Sequence, residues 1–119
     1  MRIVVDASVA VKWFVLEANS EHARRLLASD ATLVAPDLIV AETANVMWKR
    51  QRVGGITPEQ ATEAVAALPL IFAELLPSAH LVARAAAIAR ALDHPVYDCF
   101  YLAAAEDLAA ELEIGRAHV

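Results

Sequence analysis

The sequence is poor in cysteine, in glycine and in long apolar runs. Its single cysteine, Cys99, excludes an intramolecular disulfide framework, and no spacing of Cys or His matches a structural zinc site. Residues 64–73 are the longest apolar stretch without charge, but they contain Pro69 and fall well short of the roughly 20 residues that span a bilayer. Lys12 breaks the apolar core that a secretory signal needs. We therefore expect a cytoplasmic protein without a membrane-spanning segment.

Basic charge is also scarce. Ten Lys and Arg residues stand against fifteen Asp and Glu residues, which gives a formal net charge of −5. No global positive field draws this protein to nucleic acid, so any RNA that it binds has to be held locally. Apolar residues, in contrast, make up 59% of the 119 residues. A chain of this length can bury one core and is too short for two ordinary domains, so we expect one compact domain.

The hydrophobic pattern alternates between strands and helices along the whole chain. It predicts strands at 3–5, 32–35 and 70–76, and helices beginning at Ser8 and Ser20 and spanning 37–52, 57–68, 78–92 and 97–112. Thr57, Pro58 and Gln60 combine an N-cap, a proline in the first turn and a capping-box partner. Such alternation favours an α/β fold with a central parallel sheet, in which ligands collect at the carboxyl ends of the strands.

Three acids stand alone among apolar residues. Asp6 follows the first strand, where it could be a ligand or simply a turn or helix-capping residue. Glu42 is the only charge in residues 38–48, where a buried carboxylate needs a cation, although a solvated stripe would explain it equally well. Asp98 lies in the first turn of the last helix, where its charge could merely interact favourably with the helix dipole. As a set, the three would make a hard-oxygen site for Mg²⁺ or Mn²⁺.

Three segments containing these acids resemble a known family. VVDASV at 4–9, AETAN at 41–45 and HPVYDCFYLA at 94–103 follow in order the first three acidic motifs of PIN domains. The third segment especially resembles the VapC toxins of bacterial toxin–antitoxin pairs. The similarity covers residues 1–112, so we expect a PIN domain over that range.

The resemblance implies a PIN-like three-layer α/β/α sandwich around a parallel sheet. It also implies an Mg²⁺- or Mn²⁺-dependent endoribonuclease that hydrolyses RNA by means of an activated water, forms a homodimer and is neutralised by a cognate antitoxin. Asp6, Glu42 and Asp98 match the metal ligands. Ser8 matches a hydroxyl position of the first motif, and Asn45 matches a polar position that could orient Glu42 or the scissile phosphate.

The sequence departs from the family pattern near its end. PIN domains usually carry a further acid at the end of a strand that follows the last helix, and Glu106, Asp107 and Glu111 fall within the predicted helix instead. One permitted reverse translation of residues 113–119 contains a run found in sequencing-library adapters. We therefore expect a non-native tail there, a fold that lacks its last strand or strands, and weak or absent activity in this chain.

Other hypotheses remain open at this stage. The chain could be a PIN-type nuclease that acts on structured RNA outside any toxin system, or a binding or dimerisation module whose acids only cap helices. His94 is expected in a turn, and Cys99 is expected to be a buried hydrophobe rather than a nucleophile. The basic residues that could meet RNA phosphates are Lys12, Arg24, Arg25, Lys49, Arg50 and Arg52.

Overall fold

The computed structural model describes residues 1–17, 20–109 and 111–113. Strands and helices alternate through this part of the chain, as the hydrophobic pattern predicts. In chain order the elements are β1 (Arg2–Val5), α1 (Ala7–Val11), α2 (Ser20–Ala28), β2 (Thr32–Pro36), α3 (Leu38–Arg52), α4 (Pro58–Ile71), β3 (Glu74–Leu76), α5 (Ser78–Leu92), α6 (Val96–Leu108) and β4 (Glu111–Glu113).

The four strands form one parallel sheet in the order β3-β2-β1-β4. Val4 pairs with Val34 of β2 on one side and with Leu112 of β4 on the other, so β1 is an interior strand. The side chains of Val4, Val5 and Val34 are at most 1% exposed, as expected for a parallel strand that is covered on both faces by helices. The predicted α/β class with a central parallel sheet is confirmed.

The apolar core has two parts. The larger part lies around the sheet and includes Ile39 of α3, Leu68 of α4 and Phe100 of α6. The smaller part joins the end of α1 to α3 and α4 and contains Val11, Val15, Met47, Ala61 and Ala64. Helix α3 therefore contributes to both, and its position is fixed from two sides.

Helix α4 shows where the sequence-based boundaries succeed and fail. The capping box is present: the Gln60 backbone N–H donates to Thr57 Oγ1 at 3.1 Å, and the Thr57 N–H donates to Gln60 Oε1 at 2.8 Å. The predicted end near Leu68 is wrong, because the helix continues through Pro69 to Ile71. A proline in the last turn removes only one helical hydrogen bond, and Ile71 packs against the core. The predicted strand at 70–76 is correspondingly reduced to Glu74–Leu76.

The end of the last helix also differs from the prediction. Helix α6 ends at Leu108, and Ala109 adopts a left-handed conformation with φ of 49° that closes the helix. The chain then forms β4 beside β1, so Glu111 is a strand residue and not part of a solvated helix face. The expectation that no strand follows the last helix is therefore wrong. Pairing with β1 decides this short strand, and local sequence carries no signal of it. Glu113 is the last residue of β4, and residues 114–119 of the expected non-native tail lie outside the described residues.

Within the described ranges, no helix combines the length and the hydropathy that crossing a membrane requires.

Candidate active site

The five residues singled out from the sequence all line one cavity of about 260 Å³. Asp6 directly follows β1, Glu42 lies in α3 and Asp98 in the first turn of α6. Among the described residues, those that line the cavity are Asp6, Ala7, Ser8, Val11, Glu42, Asn45, Val46, Asp98 and Tyr101. The cavity thus lies at the carboxyl end of an interior strand, where parallel sheets usually bind their ligands.

Asp6 is held by the helix that it begins. Its side chain is 5% exposed, and its Oδ1 accepts hydrogen bonds from Ser8 Oγ at 2.8 Å and from the Val9 N–H at 3.1 Å. Asp6 is therefore the N-cap of α1, as one of the two interpretations from sequence proposed. Capping and lining the cavity are compatible, because a carboxylate has two oxygens that together offer about four acceptor positions.

Glu42 is held by a residue from another helix. It is half-buried on α3, and the Tyr101 hydroxyl of α6 donates a hydrogen bond to its Oε1. The Tyr101 side chain is only 4% exposed. Burial, and next the charge of Glu42, raise the pKa of Tyr101 far above its usual range. The phenol is therefore protonated at any physiological pH and acts as a hydrogen-bond donor.

Asp98 also has a partner that the sequence did not reveal. His94 Nε2 lies 2.7 Å from Asp98 Oδ2, and both side chains are partly exposed. His94 stands in the turn between α5 and α6, as predicted, but its ring reaches the acid. The spacing offers a signal for Tyr101, because it lies three residues after Asp98 in α6 and so can share its side of the helix.

The remaining predicted residues occupy different environments. Asn45 is exposed on α3, one turn beyond Glu42. Cys99 is fully buried, and burial followed by the charge of Asp98 raises the pKa of its thiol. A protonated, inaccessible thiol is a poor nucleophile, in agreement with the structural role expected from the sequence.

The oxygen donors of the cavity fit a hard divalent cation. Carboxylate, amide and hydroxyl oxygens are the ligands that Mg²⁺ and Mn²⁺ prefer. Within residues 1–17, 20–109 and 111–113, however, no three His, Cys, Asp or Glu side chains are grouped closely enough to hold one ion together. Mg²⁺ commonly keeps several waters and uses only one or two carboxylates directly, so the donor set is compatible with it.

None of the basic residues considered for RNA binding is among the described residues that line the cavity. Arg50 pairs with Glu17 at 2.6 Å, and Arg25 pairs with Glu21 at 3.2 Å. Lys12 is 9% exposed, and the guanidinium of Arg52 lies 5.4 Å from the centre of the Trp48 ring. The described lining therefore contains three carboxylates and no Lys or Arg side chain.

Comparison with known proteins identifies the family to which this chain is similar. The PIN domain model matches residues 3–112. The chain is 34% identical over 114 residues to Ribonuclease VapC3 of Pyrobaculum aerophilum, covering 94% of this chain and 87% of that protein. It resembles the crystal structure of Mycobacterium tuberculosis VapC20, titled a sarcin–ricin loop cleaving toxin, with a TM-score of 0.77 and 20% identity over 98% of this chain and 91% of that one.

The chain belongs to the PIN-domain family. Within that family it is VapC-like, as its similarity to Ribonuclease VapC3 over almost its whole length indicates. The resemblance inferred from the three acidic motifs is thereby confirmed. The likeness to VapC20 supports the fold, and it does not by itself assign a substrate.

Proposed function

We propose that this protein is an Mg²⁺- or Mn²⁺-dependent endoribonuclease that acts as the toxin of a type II toxin–antitoxin pair in the cytoplasm. One observation carries the proposal: Asp6, Glu42 and Asp98, from three separate elements, line a single cavity together with Ser8 and Asn45. The name of the relative Ribonuclease VapC3 supports the reaction class.

The charge of the cavity is the physical argument for a cation. Three carboxylates from separate parts of the chain line one cavity, and carboxylate oxygens are the ligands that hard divalent cations prefer. A cation held there would also attract the negatively charged phosphodiester of RNA. A bound divalent cation would polarise a phosphoryl oxygen and lower the pKa of a water that attacks phosphorus. In this proposal Asp6, Glu42 and Asp98 hold that cation, one or two of them directly and the others through its bound waters.

The other cavity residues position these groups. Ser8 fixes Asp6 through its hydrogen bond to Oδ1. Asn45, exposed one helical turn from Glu42, can donate from its amide to a phosphate oxygen and so orient the scissile group. Such positioning supplies a large part of catalysis when no side chain acts as the nucleophile.

The proposal includes protein partners, namely a cognate antitoxin and a second copy of the chain. Large apolar side chains are exposed on several helices, among them Trp48 at 53% and Leu70 at 85%. Exposed apolar side chains mark a protein contact where they form one continuous patch, and in this proposal the partners cover such side chains. Both expectations are tested by measuring the molar mass in solution by light scattering, with and without the protein encoded by an adjacent small open reading frame. A monomer whose mass does not change when that protein is added would contradict them.

Cleavage of RNA by the purified protein tests the reaction. We expect weak but measurable cleavage with Mg²⁺ or Mn²⁺, its loss with a chelator, and its loss in Asp6→Asn, Glu42→Gln and Asp98→Asn. Glu63→Gln, which neutralises an exposed acid on α4 outside the cavity, is the matched control and should cleave normally. If all three cavity variants cleave like the wild type, the proposed site is wrong. Specific metal-free binding of a protein without any cleavage would instead favour a non-catalytic module.

A further inference from the structure

Tyr101 reaches the acidic cavity from the same helix as Asp98. The two residues are three positions apart on α6, and both line the cavity. The ring of Tyr101 belongs to the main apolar core, so packing fixes its direction. Its hydroxyl is thus a rigid hydrogen-bond donor at the boundary between core and cavity.

Glu42, which accepts this hydrogen bond, receives less support from its own helix than Asp6 does. Asp6 has a short side chain and receives two donors from its own helix. Glu42 has one more rotatable bond and stands in the middle of a helix, where the backbone N–H groups are already used. The Tyr101 hydroxyl meets its Oε1 from a position 59 residues away in the sequence. The contact therefore ties the direction of the Glu42 carboxylate to the helix that carries Asp98.

We infer that Tyr101 is a positioning residue that holds Glu42 in the orientation in which it binds the divalent cation, an inference that rests on the proposed function. A donor on Oε1 is compatible with cation binding, because a carboxylate offers about four acceptor positions over its two oxygens. In this role the Tyr101 side chain acts through Glu42 and not through direct contact with RNA or the cation. Outer partners of this kind typically contribute 10- to 100-fold to metal affinity or activity.

Removal of one hydroxyl tests the inference. Tyr101→Phe keeps the buried ring and deletes the donor, whereas Tyr97→Phe deletes a hydroxyl from a side chain of the same helix that is 65% exposed. Mn²⁺ affinity is measured by calorimetry at a temperature where both variants are fully folded by circular dichroism. We expect Mn²⁺ to bind about 10- to 100-fold more weakly to Tyr101→Phe and normally to Tyr97→Phe.

A second readout separates positioning from a merely structural role. With saturating Mn²⁺ and a defined RNA, Tyr101→Phe should lower kcat and leave KM unchanged, because Glu42 is misdirected while RNA binding is untouched. A structural role would lower the melting temperature and leave both Mn²⁺ affinity and kcat of the folded protein unchanged, which would overturn the inference.

Failure of the inference and failure of the proposed function give different results. If wild type cleaves, Glu42→Gln does not, and Tyr101→Phe matches wild type in Mn²⁺ affinity and kcat, the function stands and Tyr101 has no positioning role. If Mn²⁺ binds more weakly to Tyr101→Phe while wild type cleaves no RNA, Tyr101 does position Glu42 but the site serves another reaction. If wild type binds no Mn²⁺, both are wrong.

Discussion

Asp6 and Glu42 line the same cavity, but the chain holds them in opposite ways. The carboxylate of Asp6 is fixed by Ser8 and by the Val9 N–H, two and three residues further along. The carboxylate of Glu42 is fixed by Tyr101 from a different helix. One half of the site is therefore built by local chain geometry, and the other half exists only once α3 and α6 have packed.

Because of this difference, the loss of each contact should affect protein stability and RNA cleavage to different extents. A local cap such as Asp6 contributes to its own helix and to the cavity at the same time, so its loss affects both. The contact between Tyr101 and Glu42 adds no helical cap, so its loss acts mainly on the site. Variants that change one contribution and leave the other intact test this distinction.

The largest effect is expected at Asp6, where two substitutions separate its two roles. Asp6→Asn keeps an N-cap acceptor and should change the free energy of unfolding little, whereas Asp6→Ala should lower it by about 1 kcal/mol. Both should reduce RNA cleavage by more than about 100-fold, beyond the effect usual for outer partners. Urea denaturation and a cleavage assay measure the two quantities. Normal cleavage by Asp6→Asn would show that capping is its whole role.

A helix cap outside the cavity is expected to give an effect of intermediate size. Thr57→Ala removes the side-chain acceptor of the α4 capping box and should lower the free energy of unfolding by about 1 kcal/mol. Because Thr57 does not line the cavity, cleavage below the melting temperature should be unchanged. The same assays apply, and Thr57→Ser, which retains the hydroxyl, is the control. A loss of cleavage here would mean that stability alone controls activity.

The smallest effect is expected next to Glu42. Thr43 is fully buried on α3, and its Oγ1 has no hydrogen-bond partner among the described residues. Since an unsatisfied buried hydroxyl is costly, Thr43→Val should leave the protein as stable or raise its free energy of unfolding by up to about 1 kcal/mol. Cleavage should not change, because Thr43 faces the core. Marked destabilisation in urea would reveal a hydrogen bond at Oγ1.

Much of the sheet could be predicted from local sequence. The apolar, β-branched run at 3–5 specifies a strand buried on both faces, and Thr57 with Gln60 specifies the start of α4. The ends of elements were less predictable. Pro69 suggested a helix end before Ile71, because the rule that proline breaks helices applies less strictly in the last turn. Strand β4 depends on pairing with β1, which three residues cannot indicate alone.

The cavity residues were found by their order and context as a set. Each acid alone had another explanation, and for Asp6 that explanation, an N-cap, is also correct. The partners Tyr101 and His94 were missed as such, since which hydroxyl meets Glu42 depends on how α3 and α6 pack. Sequence patterns identify the acids that stand among apolar residues. Tertiary packing decides which side chains form hydrogen bonds with those acids.

The wide separation of the three acids along the chain also has a consequence for synthesis. A ribosome makes Asp6 well before Asp98 and Tyr101, which belong to the last described helix. The cavity cannot be complete until that helix has emerged and packed. If the proposed function is correct, a partly synthesised chain cannot yet cleave RNA, and activity begins only once that helix has packed against the others.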